Sequence, residues 1–235
     1  MKASDVKEAL VAVADQSKVK ILSSFFKTGK GGYGEGDVFI GVKVPQTRAV
    51  AKEAVELPLE EVTLLINDEV HEVRLCGFII LVLKYAKQKK NPQAQRDIVD
   101  FYLRHARNAN NWDLVDLSAP KILGEWLKDK DRSLLYQLAE SDSLWEQRIA
   151  IVSTWSIIRT GQYEDTFAIA RILMGHSHDL IRKAVGWMLR EVGKKDRESL
   201  TAFLDENAMR LSRTSLRYAI EHYSPEDRKR FMERK

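Results

Sequence analysis

The sequence predicts an all-α protein. Apolar residues recur at helical spacing along most of the chain, and no segment alternates polar and apolar residues as a half-buried strand does. Prolines and capping residues stand where several of the predicted helices begin, as they commonly do at helix N-termini. Together these three observations favour helices throughout the chain.

The helices can be placed in order. Ser4 can cap the first one, and Pro120 is expected to break or restart a helix. The segment 69–88 is apolar on most faces and should form a central, buried helix. The other predicted helical segments are 19–26, 46–55, 58–66, a helix from Pro92, a helix from Trp112, 134–139, 144–159, 166–174, 180–192, 200–204, 215–223 and a last basic helix from Pro225.

These helices follow one another in pairs joined by short turns. Two-helix units repeating every 35 to 45 residues or so are typical of HEAT or armadillo-like repeats. We therefore expect one domain over residues 1–235, folded as a curved superhelical solenoid of HEAT-like repeats with a concave basic cleft as its binding surface. A compact, irregular helical bundle is the alternative.

The composition and charge of the chain indicate its class of protein and its possible partners. The chain is 44% hydrophobic and carries a net charge of +4, with 15 Lys and Arg against 10 Asp and Glu from residue 171 onward. This balance permits nucleic-acid binding without requiring it. The single cysteine, Cys76, lies in an apolar run and is expected to be a buried structural thiol. A charged N-terminus and the lack of a long apolar run favour a soluble cytoplasmic protein without a membrane segment.

One segment, residues 28–37, is rich in glycine. It lacks the terminal Gly-Lys-Ser/Thr of a phosphate-binding P-loop, and the sequence contains no GxGxxG fingerprint. We interpret it as a flexible surface loop, with a phosphate cradle as the less favoured alternative.

A polar run near the middle of the chain is a candidate chemical site. Two asparagines precede Trp112, and Asp116 follows one helical turn later, so the indole and the carboxylate share a helix face. Asp113, close to the helix start, is best interpreted as a carboxylate that caps the helix or complements its dipole. Taken alone, Asp116 is more often a surface charge and a tryptophan more often part of a core.

Three separated motifs follow one another along the chain: Asn111-Trp112-Asp113-Leu114-Val115-Asp116, Leu144-Trp145-Glu146-Gln147-Arg148-Ile149-Ala150 and Ile181-Arg182-Lys183-Ala184-Val185-Gly186-Trp187-Met188-Leu189-Arg190-Glu191. In this order they resemble the AlkD-like family of DNA alkylation-repair glycosylases, which are built from HEAT-like repeats. The segment 39–45 resembles the N-terminal pattern of that family as well, so the resemblance covers essentially the whole chain.

The resemblance implies a function and a site. Trp112, Asp116 and Trp187 would line the active cleft, and Arg148 would hold the DNA backbone near the lesion. The implied substrate is double-stranded DNA with purines alkylated at N3 or N7, processed in an open cleft. Phe25 or Phe26 stands where the family can carry a hydroxylated aromatic residue, and this departure puts the substrate range in doubt.

The chemistry of these residues suits such a reaction. A purine alkylated at N3 or N7 is cationic and leaves readily, so the enzyme needs mainly to stabilise the positive charge that develops on the sugar. Asp116 would supply the anion, or orient the attacking water, and Trp112 and Trp187 would supply aromatic faces. Lys183 and Arg190 flank Trp187 on one helix face and would contact phosphates, although a solvated face is the alternative.

The sequence also indicates which catalytic groups the expected enzyme does not use. No lysine is placed as a Schiff-base nucleophile, so a monofunctional glycosylase is favoured over one that also nicks DNA. The five histidines form no ligand pattern, and neither metal nor cofactor is expected. We expect a monomer that associates with the nucleoid when bound to DNA. A helical-repeat module that binds DNA without cutting it, or a protein scaffold, is the alternative function.

Overall fold

The computed structural model describes residues 1–233, and it confirms the all-α prediction. Within these residues no β-strand forms, and the only β-pairing is an isolated parallel bridge between Val38 and Val70. The helices are α1 (Ala3–Ala12), α2 (Gln16–Phe25), α3 (Val44–Glu53), α4 (Leu59–Ile66), α5 (His71–Lys87), α6 (Pro92–Arg104), α7 (Trp112–Ser118), α8 (Glu125–Leu127), α9 (Ser133–Ala139), α10 (Leu144–Ile158), α11 (Glu164–Leu173), α12 (Asp179–Lys195), α13 (Arg197–Asn207), α14 (Arg213–Ala219) and α15 (Pro225–Glu233).

One of the two predicted helix boundaries discussed above was wrong. Ser4 lies inside α1, and the Asp5 carboxylate instead accepts a hydrogen bond from the Lys2 backbone N–H at 2.7 Å. The boundary at Pro120 is confirmed, because α7 ends at Ser118 and Pro120 begins a π-helical turn, Pro120–Gly124, that continues into α8. The Gly124 N–H reaches back five residues to the Ala119 carbonyl at 2.9 Å, and this wider turn accommodates the proline ring.

The chain forms two compact units, Met1–Ser118 and Ala119–Lys235. In the first unit α5 is the central helix and packs against α1, α3, α4, α6 and α7. Its side chains are buried from His71 to Val82, which confirms the predicted central, buried helix. Cys76 is buried within it, and burial raises the pKa of the thiol to about 12, so this residue is the structural cysteine expected from the sequence.

In the second unit α10 and α12 are the central helices. α10 packs against α9, α11 and α12, and α12 packs against α11, α13 and α14. Contacts with both the next helix and the next but one are typical of stacked two-helix repeats. A Cβ atom on Gly186 would lie 2.5 Å from the Ser215 carbonyl oxygen, so glycine permits the close approach of α12 and α14. A single domain, a curved solenoid and a basic cleft stay predictions.

No helix within residues 1–233 has both the length and the apolar character needed to cross a bilayer.

Candidate active site

Helix α7 carries Trp112 and Asp116, the two candidate residues of the first unit. Both side chains are half-buried and stand one turn apart, as the spacing predicts. Burial raises the pKa of the neighbouring Tyr102, and the negative charge of Asp116 raises it further, against the hydrogen bond with Ser118 that lowers it. The charge of Asp116 therefore acts on the side chain of Tyr102 in α6.

The Trp112 indole is held by an aromatic stack. It lies nearly parallel to the ring of Phe26, with 5.3 Å between centroids, and Phe26 in turn stacks on Phe39 at 5.0 Å. The ring of Phe25 meets the indole edge-on at 5.8 Å and is 60% exposed. Such pairs each contribute about 0.5–1.5 kcal/mol beyond their buried area, so the stack fixes the orientation of Trp112.

A buried histidine, His71, lies beneath this stack. Its ring packs against Phe39 and Phe26 with centroids 4.6 and 4.9 Å away. Nε2 is 2.9 Å from the Asp113 carboxylate, and Nδ1 is 3.3 Å from the Asp37 carboxylate. Because carboxylates only accept hydrogen bonds, both ring nitrogens must carry a hydrogen to bond both of them. His71 is therefore an imidazolium in this arrangement.

The pKa of His71 reflects this arrangement. Burial acts to lower the pKa, but the hydrogen bonds and charges of Asp113 and Asp37 outweigh burial and raise it to about 9. Conversely, burial acts to raise the pKa of Asp37, and His71, Arg74 and Asn111 together hold it below its usual value. The imidazolium of His71 and the carboxylate of Asp37 are therefore both favoured at neutral pH.

Two further residues complete the cluster around Asp37. The Arg74 guanidinium forms an ion pair with Asp37 and also donates to the Asp68 and Glu69 carbonyls at 2.9 and 3.0 Å. The Asn111 amide donates to Asp37 at 3.0 Å. We call His71, Asp37, Asp113, Arg74 and Asn111 the His71 cluster. Its two carboxylates balance its two cations, as a buried ionic group requires.

The His71 cluster is joined directly to the start of α7. The Asn111 side-chain oxygen accepts the Trp112 backbone N–H at 2.8 Å, and Asp113 accepts the Leu114 N–H at 3.0 Å. These amides open the helix and would otherwise lack partners. The capping role expected of Asp113 is confirmed, and the same carboxylate also binds His71.

A second buried carboxylate holds the segment that precedes α3. Glu72 accepts backbone N–H groups of Ile40, Gly41 and Val42 at 3.2, 2.8 and 3.1 Å. Gly41 has φ of +87°, and a Cβ there would lie 2.0 Å from the Asp15 carbonyl oxygen. Only glycine fits this conformation and this approach.

The glycine-rich segment is folded against the aromatic stack. Its N–H groups at Gly32, Glu35 and Asp37 close successive turns, and Gly34 is buried. The prediction of a surface loop holds at exposed Gly29 but was wrong at Gly34, which packs against the Phe26 backbone. The segment ends in Asp37 and so delivers that carboxylate to His71.

The packing at Gly34 makes a testable prediction. A Cβ there would lie 2.4 Å from the Phe26 carbonyl oxygen, whereas a Cβ on Gly29 would meet nothing within 4 Å. We expect Gly34→Ala to lower the free energy of unfolding by about 1–3 kcal/mol, because the backbone beneath the stack must shift. Gly29→Ala, the matched control, should leave it within about 0.5 kcal/mol. Urea titrations measure both, and equal stability of the two variants would contradict the predicted strain.

The remaining candidate residues belong to the second unit. Arg148 is buried on α10, and its guanidinium donates to the Leu180 carbonyl at 2.5 Å. In this position it joins α10 to the start of α12, a structural contact that the sequence did not suggest. The phosphate contact implied by the resemblance stays a prediction.

Helix α12 brings Lys183, Trp187 and Arg190 to one face. The Trp187 indole N–H donates to Glu191 at 3.2 Å, and Lys183 pairs with Asp179 at 2.7 Å. Arg190 forms an ion pair with Glu221 of the segment that follows α14, and its side chain is only 19% exposed. The three predicted residues therefore share a face, as the spacing requires, but Lys183 and Arg190 already have acidic partners.

Comparison with known proteins shows the family to which this chain belongs. The family model described as DNA alkylation repair enzyme matches residues 6–223. The chain belongs to this family. The match leaves α15 outside and includes all the candidate residues of both units, so the family resemblance inferred from the three motifs is confirmed and the chain has a role in DNA alkylation repair.

A solved structure of another protein has the same fold as this chain. It is described as a predicted DNA alkylation repair enzyme from Enterococcus faecalis, with a TM-score of 0.68 and 16% sequence identity over 90% of this chain and 97% of the other. At that identity the likeness shows a shared fold. A search among curated proteins gave no match.

The sequence interpretation missed the His71 cluster. The signal was present, because His71, Glu72 and Arg74 open a helix that is otherwise apolar on most faces. Polar side chains at the start of a buried helix require partners, and these partners lie in the glycine-rich segment and at the start of α7. Their distance along the chain hid the connection.

Proposed function

We propose that this family member is a monofunctional DNA glycosylase that hydrolyses the N-glycosidic bond of cationic N3- or N7-alkylated purines. The observation that carries this proposal is helix α7, which holds Asp116 beside a stacked Trp112 and whose first turn is fixed by the His71 cluster. Membership of the DNA alkylation repair enzyme family supports the substrate class.

The proposed reaction needs an anion more than an acid. The alkylated base is already positively charged, so the C1′–N bond breaks with its electron pair moving onto the base, which leaves neutral. Positive charge develops on the deoxyribose, and a preorganised carboxylate lowers the energy of that state. Water then adds to C1′ and loses a proton, and an abasic site remains.

In this mechanism each candidate residue has a defined role. Asp116 faces the developing charge or orients the water, and Trp112 offers its ring face to the cationic lesion, an interaction of about 0.5–2 kcal/mol. Trp187 is proposed as a second aromatic contact, and Arg148, Lys183 and Arg190 as residues that bind DNA. The buried partner of Arg148 makes positioning of α12 its more direct contribution.

The stiffness of α7 supports this assignment. Electrostatic catalysis depends on charges that do not reorganise during the reaction. The Trp112 ring is stacked on Phe26, and the Trp112 N–H is bonded to Asn111, which is itself bonded to Asp37. A site supported in this way holds its aromatic face and carboxylate in place before the lesion arrives.

Release of free base from methylated DNA tests the proposal. Purified protein is incubated with a duplex carrying N7-methylguanine and N3-methyladenine, and the released bases are separated chromatographically. We expect both bases to be released faster than in the protein-free duplex, and we expect abasic strands that break only after alkali treatment. Unmodified duplex is the control and should release nothing.

Two results would contradict the proposal. Salt-sensitive binding of the duplex without base release would favour the non-catalytic DNA-binding module. Strand cleavage before alkali treatment would contradict the monofunctional assignment.

A further inference from the structure

A groove lies between the last two helices of the second unit. It has a volume of about 450 Å³ and is lined by one face of α15 and by the C-terminal half of α14 with the residues that follow it. Its apolar lining residues are Ile220, Pro225 and Met232, and its charged lining residues, which we call the rim, are Arg217, Arg228, Lys229 and Glu221. Helix α15 lies beyond the segment matched by the family model, whereas Arg217, Ile220 and Glu221 lie within it.

The rim of the groove is cationic. Arg217 and Arg228 are exposed, and no carboxylate among residues 1–233 forms an ion pair with either guanidinium. Lys229 is paired only loosely, with 3.9 Å to Glu233. The one carboxylate on the rim, Glu221, forms an ion pair with Arg190 of α12. The rim therefore carries three cations against one carboxylate, and that carboxylate is paired with Arg190.

The groove is preformed. Arg213, the first residue of α14, donates to the Met232 carbonyl of α15 at 2.5 Å. Phe231 is fully buried and meets the ring of Tyr223 at 5.7 Å, which anchors the opposite side of α15. A surface whose walls are already fixed loses little entropy when it binds a ligand.

From this geometry we infer that the groove rimmed by Arg217, Arg228 and Lys229 binds the phosphodiester backbone of duplex DNA. Guanidinium groups match phosphate oxygens in shape and charge, and backbone contacts of this kind fix a protein on DNA without reading its sequence. The inference rests on the proposed DNA substrate, and it assigns a binding surface to a helix outside the family pattern.

Continuity with α12 favours DNA over a separate ligand. Arg190 shares a helix face with Lys183 and Trp187, and its partner Glu221 lines the groove. The pair thus joins the α12 face to the groove within one unit, and Arg190 neutralises the carboxylate that would repel a phosphate. A backbone following this surface would meet the α12 face and the groove in succession.

Salt dependence of DNA binding tests this inference. Each lost phosphate contact lowers the slope of log affinity against log salt by about 0.9, so the double variant Arg217→Ala, Arg228→Ala should lower it by about 2. We expect its affinity for an undamaged duplex to fall at least about tenfold at 100 mM salt.

The matched control removes two positive charges elsewhere. Lys89→Ala with Lys90→Ala, both exposed in the first unit, should leave the slope within about 0.5 of the wild-type value. The conservative variant Arg217→Lys, Arg228→Lys should restore most of the slope, because the charge is kept. A slope unchanged by the alanine variant, or lowered equally by the control, would overturn the assignment.

A competition experiment separates the DNA backbone from free phosphate. Inorganic phosphate replaces chloride at constant ionic strength while duplex binding is followed. We expect little competition at millimolar phosphate. A duplex affinity that stays at the wild-type value when Arg217 and Arg228 are replaced by alanine would overturn the backbone assignment. If the alanine variant lowers the salt slope but the wild type releases no base, the groove binds DNA and the proposed glycosylase activity is refuted. If the wild type releases base but the alanine variant leaves the slope unchanged, the activity is supported and the groove assignment is refuted.

Discussion

Replacing Asp116 by asparagine should lower the rate of base release from methylated DNA by about 10²–10³-fold, the effect of removing one preorganised electrostatic contact from an active site. The asparagine has nearly the same shape, so α7 should keep its packing. What is lost is the negative charge that faces the developing positive charge on the sugar. Single-turnover release of N7-methylguanine with saturating protein measures this effect.

The binding of DNA should respond in the opposite direction. Removal of a carboxylate reduces repulsion of the phosphate backbone, so Asp116→Asn should bind an undamaged duplex as tightly as the wild type or slightly more tightly. Asp129→Asn, at an exposed position, is the matched control and should release base at the wild-type rate. If Asp116→Asn releases base as fast as the wild type, Asp116 has no part in the mechanism.

Replacing His71 by alanine should lower the free energy of unfolding by about 3–5 kcal/mol, because the change breaks a buried ionic group and leaves two carboxylates with one cation. The side chain is 1% exposed and stacks on Phe26 and Phe39, so a cavity adds to the loss. Urea unfolding followed by circular dichroism at pH 7 measures the change. Exposed His222→Ala is the control and should alter stability by less than about 0.5 kcal/mol.

The contribution of His71 should depend on pH in a defined direction. Its pKa is about 9 in the folded chain, against 6.5 for an unperturbed histidine, so the folded state binds the proton more tightly than the unfolded state does. The stabilisation is therefore fully present below pH 6.5 and is lost as pH rises through 9, an amount of about 3 kcal/mol for this shift. The stability difference between wild type and His71→Ala should shrink over this range, whereas a constant difference would contradict an imidazolium at His71.

The same substitution should affect catalysis through α7. His71 touches no substrate in the proposed mechanism, but it holds Asp113, and Asp113 caps the helix that carries Trp112 and Asp116. We regard His71 as a positioning residue for this reason. Its loss should slow base release even under conditions in which the variant stays folded.

The helical architecture was predictable because its signals are local. The apolar positions of α6 and α12 recur at helical spacing, α5 is apolar on most faces, and the ends of most predicted helices fall within a few residues of the observed ones. The restart at Pro120 was predictable, but its π-helical form was not, because a proline excludes the ordinary helical hydrogen bond but not the wider turn that Gly124 closes. Whether such a turn forms depends on the residues that pack around it.

The candidate site was predictable only in part. Trp112 and Asp116 share a face because of their spacing, and Lys183, Trp187 and Arg190 do so for the same reason. The spacing of residues along the sequence does not show which charged side chains already have a partner in the folded chain. Arg190 is bound to Glu221 across 31 residues of sequence, and Arg148 is bound to the Leu180 carbonyl across 32.

By itself the sequence determined the all-α class, the family motifs and which residues share a helix face, because periodicity and spacing act within one helix. Only the tertiary structure decided that His71 is held between Asp37 and Asp113, that the glycine-rich segment is packed beneath the Trp112 stack, and that a cationic groove forms beside α15. The partners in these contacts lie on different segments. Their pairing depends on burial, where unpartnered charge is costly and only a folded chain can supply the partner.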